Sequence, residues 1–163
     1  MPKLAEVKLQ REDERLTAWR LFLESYRRVL DTLDDELQSA RGLSLTRYDV
    51  LVQLFSAPDQ RLRMNQLASR ILLSKSGLTR LIDRMEAEGL VERASSPNDR
   101  RGSFAVLTPR GEQVFREAGP IHLDGIHKHF ASHLTAAEAR TLAKAFEKIR
   151  GPLISAADCA PTD

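Results

Sequence analysis

Residues 62–111 read LRMNQLASRILLSKSGLTRLIDRMEAEGLVERASSPNDRRGSFAVLTPRG, and this stretch decides the fold. Its first part predicts two short helices in close succession. One, about Met64 to Ile71, turns Leu67, Ala68 and Ile71 inward. The other, about Lys75 to Glu88, carries Leu78, Leu81, Ile82 and Met85 at the i, i+3, i+4, i+7 spacing of a single buried face. Leu72-Leu73-Ser74 is the turn between them. The opposite face of the second helix holds Lys75, Ser76, Thr79, Arg80, Asp83 and Arg84. Gly89 stands where a helix C-terminus favours glycine. Two short, largely apolar runs follow, Leu90 to Ala94 and Ser103 to Leu107, joined through the turn formers Ser95, Ser96, Pro97, Asn98 and Gly102. Asp99, Arg100 and Arg101 fall at the apex of this hairpin. Thr108 then Pro109 reads as an N-cap and the first residue of a new helix.

Helix, turn, helix, two-stranded hairpin, helix is the order of a winged helix-turn-helix. A short helix with a polar outer face fits the major groove of B-DNA. A hairpin beside it reaches toward the neighbouring minor groove, where concentrated negative potential favours a guanidinium. The charge distribution agrees. The chain of 163 residues has a net charge of only +2. Residues 61–110, however, carry 10 Lys/Arg against 5 Asp/Glu, an excess of +5, while residues 1–60 sum to −2 and residues 111–163 to −1. A localised basic excess is the signature of a polyanion-binding region.

On the N-terminal side, Leu16, Trp19, Leu23, Tyr26, Leu30, Leu33 and Leu37 alternate spacings of three and four within a helix expected from about Glu12 to Ser39. Phe22 and Val29 widen this stripe, which needs a partner from the same chain or another copy. Gly42 ends the helix, and Ser44 can cap a second one with Tyr48, Leu51, Val52 and Phe55 on its apolar face, stopping before Pro58. On the C-terminal side, the helix from Pro109 is expected to run to about His133, with a kink or break at Gly119-Pro120. Thr135 and Glu138 form a capping box for a last helix whose stripe is Leu142, Phe146, Ile149 and Leu153, ending near Gly151-Pro152.

A 42% hydrophobic share with 29% charged residues suits a globular, mainly α chain and excludes disorder. No apolar run reaches the length of a membrane span, and the N-terminus lacks a secretory apolar core. Cys159, the single cysteine, cannot form an internal disulfide. A cytoplasmic location is expected. No nucleophile–base set, Gly-rich phosphate loop or paired carboxylates in a cleft-like context point to an enzyme, and no cofactor is expected.

The segment LSLTRYDVLVQL, followed by residues 62–111, resembles the MarR family of bacterial transcriptional regulators. The likeness is most specific at Ser76 to Arg93 and in the Asp99-Arg100-Arg101 apex followed by LTPRG. It implies a single domain spanning 1–163, with residues 44–108 as the DNA-binding winged helix-turn-helix lobe. Residues 11–40 and 109–154 would supply the helices of a dimerisation lobe. It also implies a homodimer on a pseudo-palindromic operator in double-stranded DNA, usually as a repressor, in many members released by a small aromatic anion. Carried over by position, Ser74, Lys75, Ser76, Thr79, Arg80 and Arg84 are the recognition-helix contacts. Ser74, Lys75 and Ser76 would meet phosphates; Thr79 and Arg80 would face bases. Arg101, or Arg100, would enter the minor groove, with Asp99 as its orienting partner.

Three other readings are open. Trp19 beside Arg20 is a candidate cradle for an aromatic carboxylate. His129 and His133, within the cluster His122–His133, fall at i, i+4 and are candidates for a metal, which would make the protein a metal-responsive regulator. From a different class, the winged helix could be a protein-interaction module that has lost DNA binding.

Overall fold

The computed structural model describes residues 13–96 and 99–151; the side chains of Ser96 and of residues 99–102 lie outside that description. Among the described residues, six α-helices and a small antiparallel sheet follow the expected order. Helix α1 spans Glu14–Arg41, α2 Leu45–Phe55, α3 Met64–Arg70, α4 Lys75–Ala87, α5 Pro109–His129 and α6 Ala136–Arg150, with strands β1 Arg61–Arg63, β2 Val91–Ser96 and β3 Asp99–Leu107. The fold is mainly α, a winged helix with three strands.

Ser44, Thr108 and Thr135 cap the helices that the sequence predicts for them, and Ser74, predicted only as a turn residue, caps α4 as well. Ser44 Oγ accepts from the Arg47 amide, Ser74 Oγ from Gly77, Thr108 Oγ1 from Gly111, and Thr135 with Glu138 closes a reciprocal capping box. Gly42 ends α1 at φ 62°, in the left-handed region that glycine enters without strain. The start of α2 is also tied to α1, because the Leu45 amide donates to Asp34 Oδ1 at 2.6 Å.

The core lies beneath the winged helix. Leu51 and Leu54 of α2, Leu67 of α3, Leu78, Ile82 and Met85 of α4, and Val91 and Ala105 of the sheet are buried together. α2 is buried on several sides, through Leu45, Tyr48, Val50, Leu51 and Leu54, so it forms the centre of the unit. From α1, Leu33 and Leu37 are buried in this core. α5 crosses α1 closely at Gly125, where an added Cβ would lie 2.6 Å from Leu33 Cδ2. α6 buries no residue fully.

The structure departs from expectation at three points. First, the expected two-stranded hairpin gains a third strand at its edge: β1 pairs antiparallel with β3, through Arg61–Val106, Leu62–Ala105 and Arg63–Phe104, giving the order β1-β3-β2. A three-residue strand is too short for alternation to announce it. Asp59 and Gln60, at φ 51° and 52°, reverse the chain into it. Second, no break occurs in α5, which is continuous through Gly119-Pro120. Proline forfeits one backbone bond, yet the helix persists where Ala118 is fully buried and Gly119 lies beside the Tyr48 hydroxyl. Third, α5 ends at His129. Phe130, at φ −136° and ψ −62°, leaves the helix and a 3₁₀ turn, Ala131–His133, follows. His129 and His133 therefore do not stack on one helical face.

Candidate nucleic-acid interface

α4 is amphipathic in the sense the spacing predicts. Leu78, Leu81, Ile82 and Met85 are buried, and Ser74, Lys75, Ser76, Thr79, Arg80, Asp83 and Arg84 are exposed. Ser74 caps the helix and its Oγ lies 3.3 Å from Ser76 Oγ, so two hydroxyls and the first helical amides crowd the N-terminus. Thr79 Oγ1 donates to the Lys75 carbonyl at 2.9 Å. Its proton is thus committed inward, and the oxygen is left as an outward acceptor beside an exposed methyl group.

The arginines are not neutralised by their helical neighbours. Asp83 and Glu88 have the spacing to pair with Arg80 and Arg84, but both are engaged elsewhere. Asp83 Oδ1 receives Arg93 at 2.7 Å, and Glu88 pairs with Arg47. Among the described residues, neither Lys75 nor Arg80 has an ion-pair partner, and Arg84 Nε donates only to the Arg80 carbonyl, at 3.3 Å. Uncompensated guanidiniums on an exposed face are what a phosphate or a base edge requires.

The hairpin springs from the C-terminal end of this helix. Gly89, at φ 71°, turns the chain, and β2 pairs with β3 from Val91–Leu107 to Ser95–Ser103 before a register shift between Ser95 and Ser96. The backbone of Asp99, Arg100 and Arg101 lies in β3 at the far end; their side chains lie outside the described residues. Thr108 closes the base, with Oγ1 2.7 Å from the Gly89 carbonyl and 3.0 Å from that of Leu90. Gly111 is required there, because a Cβ would sit 2.0 Å from the Leu90 carbonyl oxygen.

Two basic features are not foreshadowed by helical spacing. Arg93 of β2 turns toward α4, where its NH2 also donates to the Thr79 carbonyl at 3.3 Å and its amide to Glu86 Oε1 at 3.0 Å. The signal for it lies in strand parity: Arg93 shares the inward side with Val91, so a charge there needs partners. On the other side of the sheet, the guanidiniums of Arg61 and Arg63 lie 5.4 and 5.2 Å from the centre of the Phe104 ring.

The remaining candidates lie on other elements, α1 and the C-terminal end of α5. Trp19 and Arg20 both line an open concavity of about 860 Å³ along α1, with Leu23, Arg27 and Asp31. His129 Nε2 lies 2.8 Å from Glu36 Oε1, and this hydrogen bond, with Lys128, holds the Glu36 carboxyl below its usual range. Among the described residues no three His, Cys, Asp or Glu side chains are grouped to hold a metal ion. Leu153 and Cys159 lie outside the described residues.

The chain is similar to known proteins in sequence and fold. The MarR family model matches residues 41–102. MhqR of Bacillus subtilis, an HTH-type transcriptional regulator, is 33% identical over 98 residues, covering 60% of this chain and 66% of its own length. Among solved structures, AbsC of Streptomyces coelicolor, a MarR family transcriptional regulator, is 38% identical with a TM-score of 0.80, covering 86% of this chain and 95% of that one. Sco3205 of Streptomyces coelicolor, a MarR family transcriptional regulator solved in complex with DNA, is 32% identical with a TM-score of 0.81, covering 87% and 89%.

Proposed function

This chain belongs to the MarR family of DNA-binding transcriptional regulators, and on that premise we propose that it acts as a homodimer repressing transcription from a pseudo-palindromic operator. The observation that carries the reading is the outward face of α4, where Lys75, Arg80 and Arg84 stand without carboxylate partners among the described residues. Ser74, Lys75 and Ser76 meet phosphates at the helix N-terminus, where free amides add to the attraction. Thr79 and Arg80 read base edges, and Arg84 follows the groove. Arg101, or Arg100, enters the minor groove, and Asp99 orients it. Residues 44–108 are the DNA-binding lobe of this scheme, and residues 11–40 and 109–154 the dimerisation lobe.

Pairing of two copies is supported by what one copy leaves uncovered. Leu16, Trp19, Phe22, Leu23 and Tyr26 of α1 are exposed along one stripe, with Phe146 and Ile149 of α6. The rings of Phe146 and Phe22 already meet at 5.3 Å, so the two helices join their exposed apolar residues into one surface of the kind that marks an interface. Two copies related by a twofold axis present two recognition helices to half-sites about one helical turn apart. Repression then follows from occupation of promoter DNA, in the cytoplasm where that DNA lies. Trp19 belongs to the stripe that the second copy covers. A ligand held by Trp19 and Arg20 is therefore coupled to how the copies pack, which is how a small aromatic anion would release the operator.

Footprinting of the purified protein on the DNA flanking its own gene tests the reading. Protection should appear as two adjacent half-sites and weaken steeply as salt rises. A protein that ignores duplex DNA at low ionic strength would instead be an interaction module.

A further inference from the structure

We infer that Arg93 is a positioning residue that locks the wing to the recognition helix, and so sets the distance between the two DNA-reading elements. This rests on the DNA-binding role proposed for α4 and the wing. One guanidinium on β2 holds three groups on α4: the Asp83 carboxylate at 2.7 Å, the Glu86 carboxylate at 4.0 Å and the Thr79 carbonyl at 3.3 Å. The Arg93 amide adds a fourth link, to Glu86 Oε1 at 3.0 Å. A planar fork fixed at several points resists rotation in a way that a single flexible ammonium does not.

The position matters because the hairpin is a lever. From Arg93 to Ser96, which pairs with Asp99 at the apex, the strand extends roughly 10 Å. A rotation of about 10° at the base would carry the apex arginines by roughly 2 Å, enough to move a guanidinium out of hydrogen-bond reach of the groove. The clamp also explains two carboxylates on a face that should meet phosphates. Asp83 and Glu86 are not there to approach DNA; Arg93 occupies them. In doing so it also frees Arg80 from its helical neighbour.

The sign of one substitution is diagnostic. Removing a negative charge beside a phosphate-binding face should tighten DNA binding if electrostatics alone governs. If Asp83 anchors the wing, Asp83→Asn should weaken it. The test uses the full-length protein, a duplex selected by the unmodified protein from a random-sequence pool, and a scrambled duplex of equal length. Asp83→Asn and Arg93→Gln should each lower the preference for the selected duplex about tenfold, and the double variant should lose no more than either alone. Asp83→Glu should retain most of it. Hydrogen exchange on the free protein reads the clamp without DNA: amides of residues 91–96 should exchange faster in Asp83→Asn. Tighter or unchanged binding by Asp83→Asn, or additive losses in the double variant, would overturn the assignment. So would unchanged exchange in the wing. If the unmodified protein selects no duplex, the DNA-binding role fails, while the exchange measurement still decides whether the clamp exists.

Discussion

The rings of Tyr48 and His122 lie 4.7 Å apart, where the central helix of the winged unit meets the long α5. His122 Nδ1 is buried there without a hydrogen-bond partner among the described residues, and burial lowers its pKa from the ordinary 6.5. The folded protein therefore keeps His122 neutral under conditions in which the unfolded chain would protonate it. Its contribution is fully present above about pH 6.5 and declines as the pH falls toward the lower folded value. Urea denaturation at several pH values between about 5 and 7.5 should show stability falling on acidification. His122→Phe, which keeps a ring against Tyr48, should flatten that part of the curve. An equal slope in both proteins would assign the pH dependence to other groups.

Leu72 should be replaceable with a gain. It sits at φ 53° in the turn between α3 and α4, with 88% of its surface exposed, so it bears left-handed strain and offsets none of it by packing. Left-handed backbone costs an L-residue roughly 1–2 kcal/mol, and the greater freedom of unfolded glycine returns about 0.4–1 kcal/mol of that. Leu72→Gly should therefore raise stability by about 0.5–1 kcal/mol, visible as a higher denaturant midpoint. Leu72→Val should lower it.

Charge introduced on the stripe of α1 should separate the copies without unfolding them. Trp19 and Leu23 are 57% and 43% exposed, and the buried residues of that helix are Leu33 and Leu37, far along it. Trp19→Glu with Leu23→Glu should sediment as a monomer while the circular dichroism of the winged unit persists. A helical signal that falls in proportion to the dimer would mean the protomer cannot stand alone.

The wing and the recognition helix should fail differently. Arg100→Ala with Arg101→Ala should weaken binding on every sequence and reduce the slope of log affinity against log salt by about 0.9 for each phosphate no longer neutralised. Arg80→Ala should cost about 1–3 kcal/mol on the preferred duplex and relax the choice of base at one position per half-site. Competition titrations against single-base variants separate the two patterns. Identical profiles for both variants would remove the division of labour between groove and wing.

Much of this fold can be read directly from residues whose effect is local. Ser44, Ser74, Thr108 and Thr135 cap the helices they precede, and Gly42 and Gly89 adopt the left-handed geometry their positions predict. The inward face of α4 is equally plain, because four apolar residues at helical spacing admit one arrangement. The features that local pattern does not carry are decided by distant parts of the chain. β1 exists because β3 accepts Arg61–Arg63 as a partner, and α5 runs past Pro120 because tertiary packing outweighs one missing hydrogen bond. Likewise, local spacing suggests Arg80 and Arg84 as partners for Asp83 and Glu88. Only the folded chain brings up Arg93 and Arg47 to take them.

The unbroken course of α5 has a mechanical consequence. The helix covers 21 residues, roughly 30 Å, and is fastened at both ends: Thr108 grips the Gly89 and Leu90 carbonyls, and Lys128 and His129 hold Glu36 of α1. A hinge at Pro120 would have let the two ends drift independently. The unbroken backbone makes the helix a single rod between those two fastenings. In the proposed pairing of two copies, a tilt imposed on the far end of the rod would be carried toward the root of the hairpin, so a wedge between the copies would also steer the fingers.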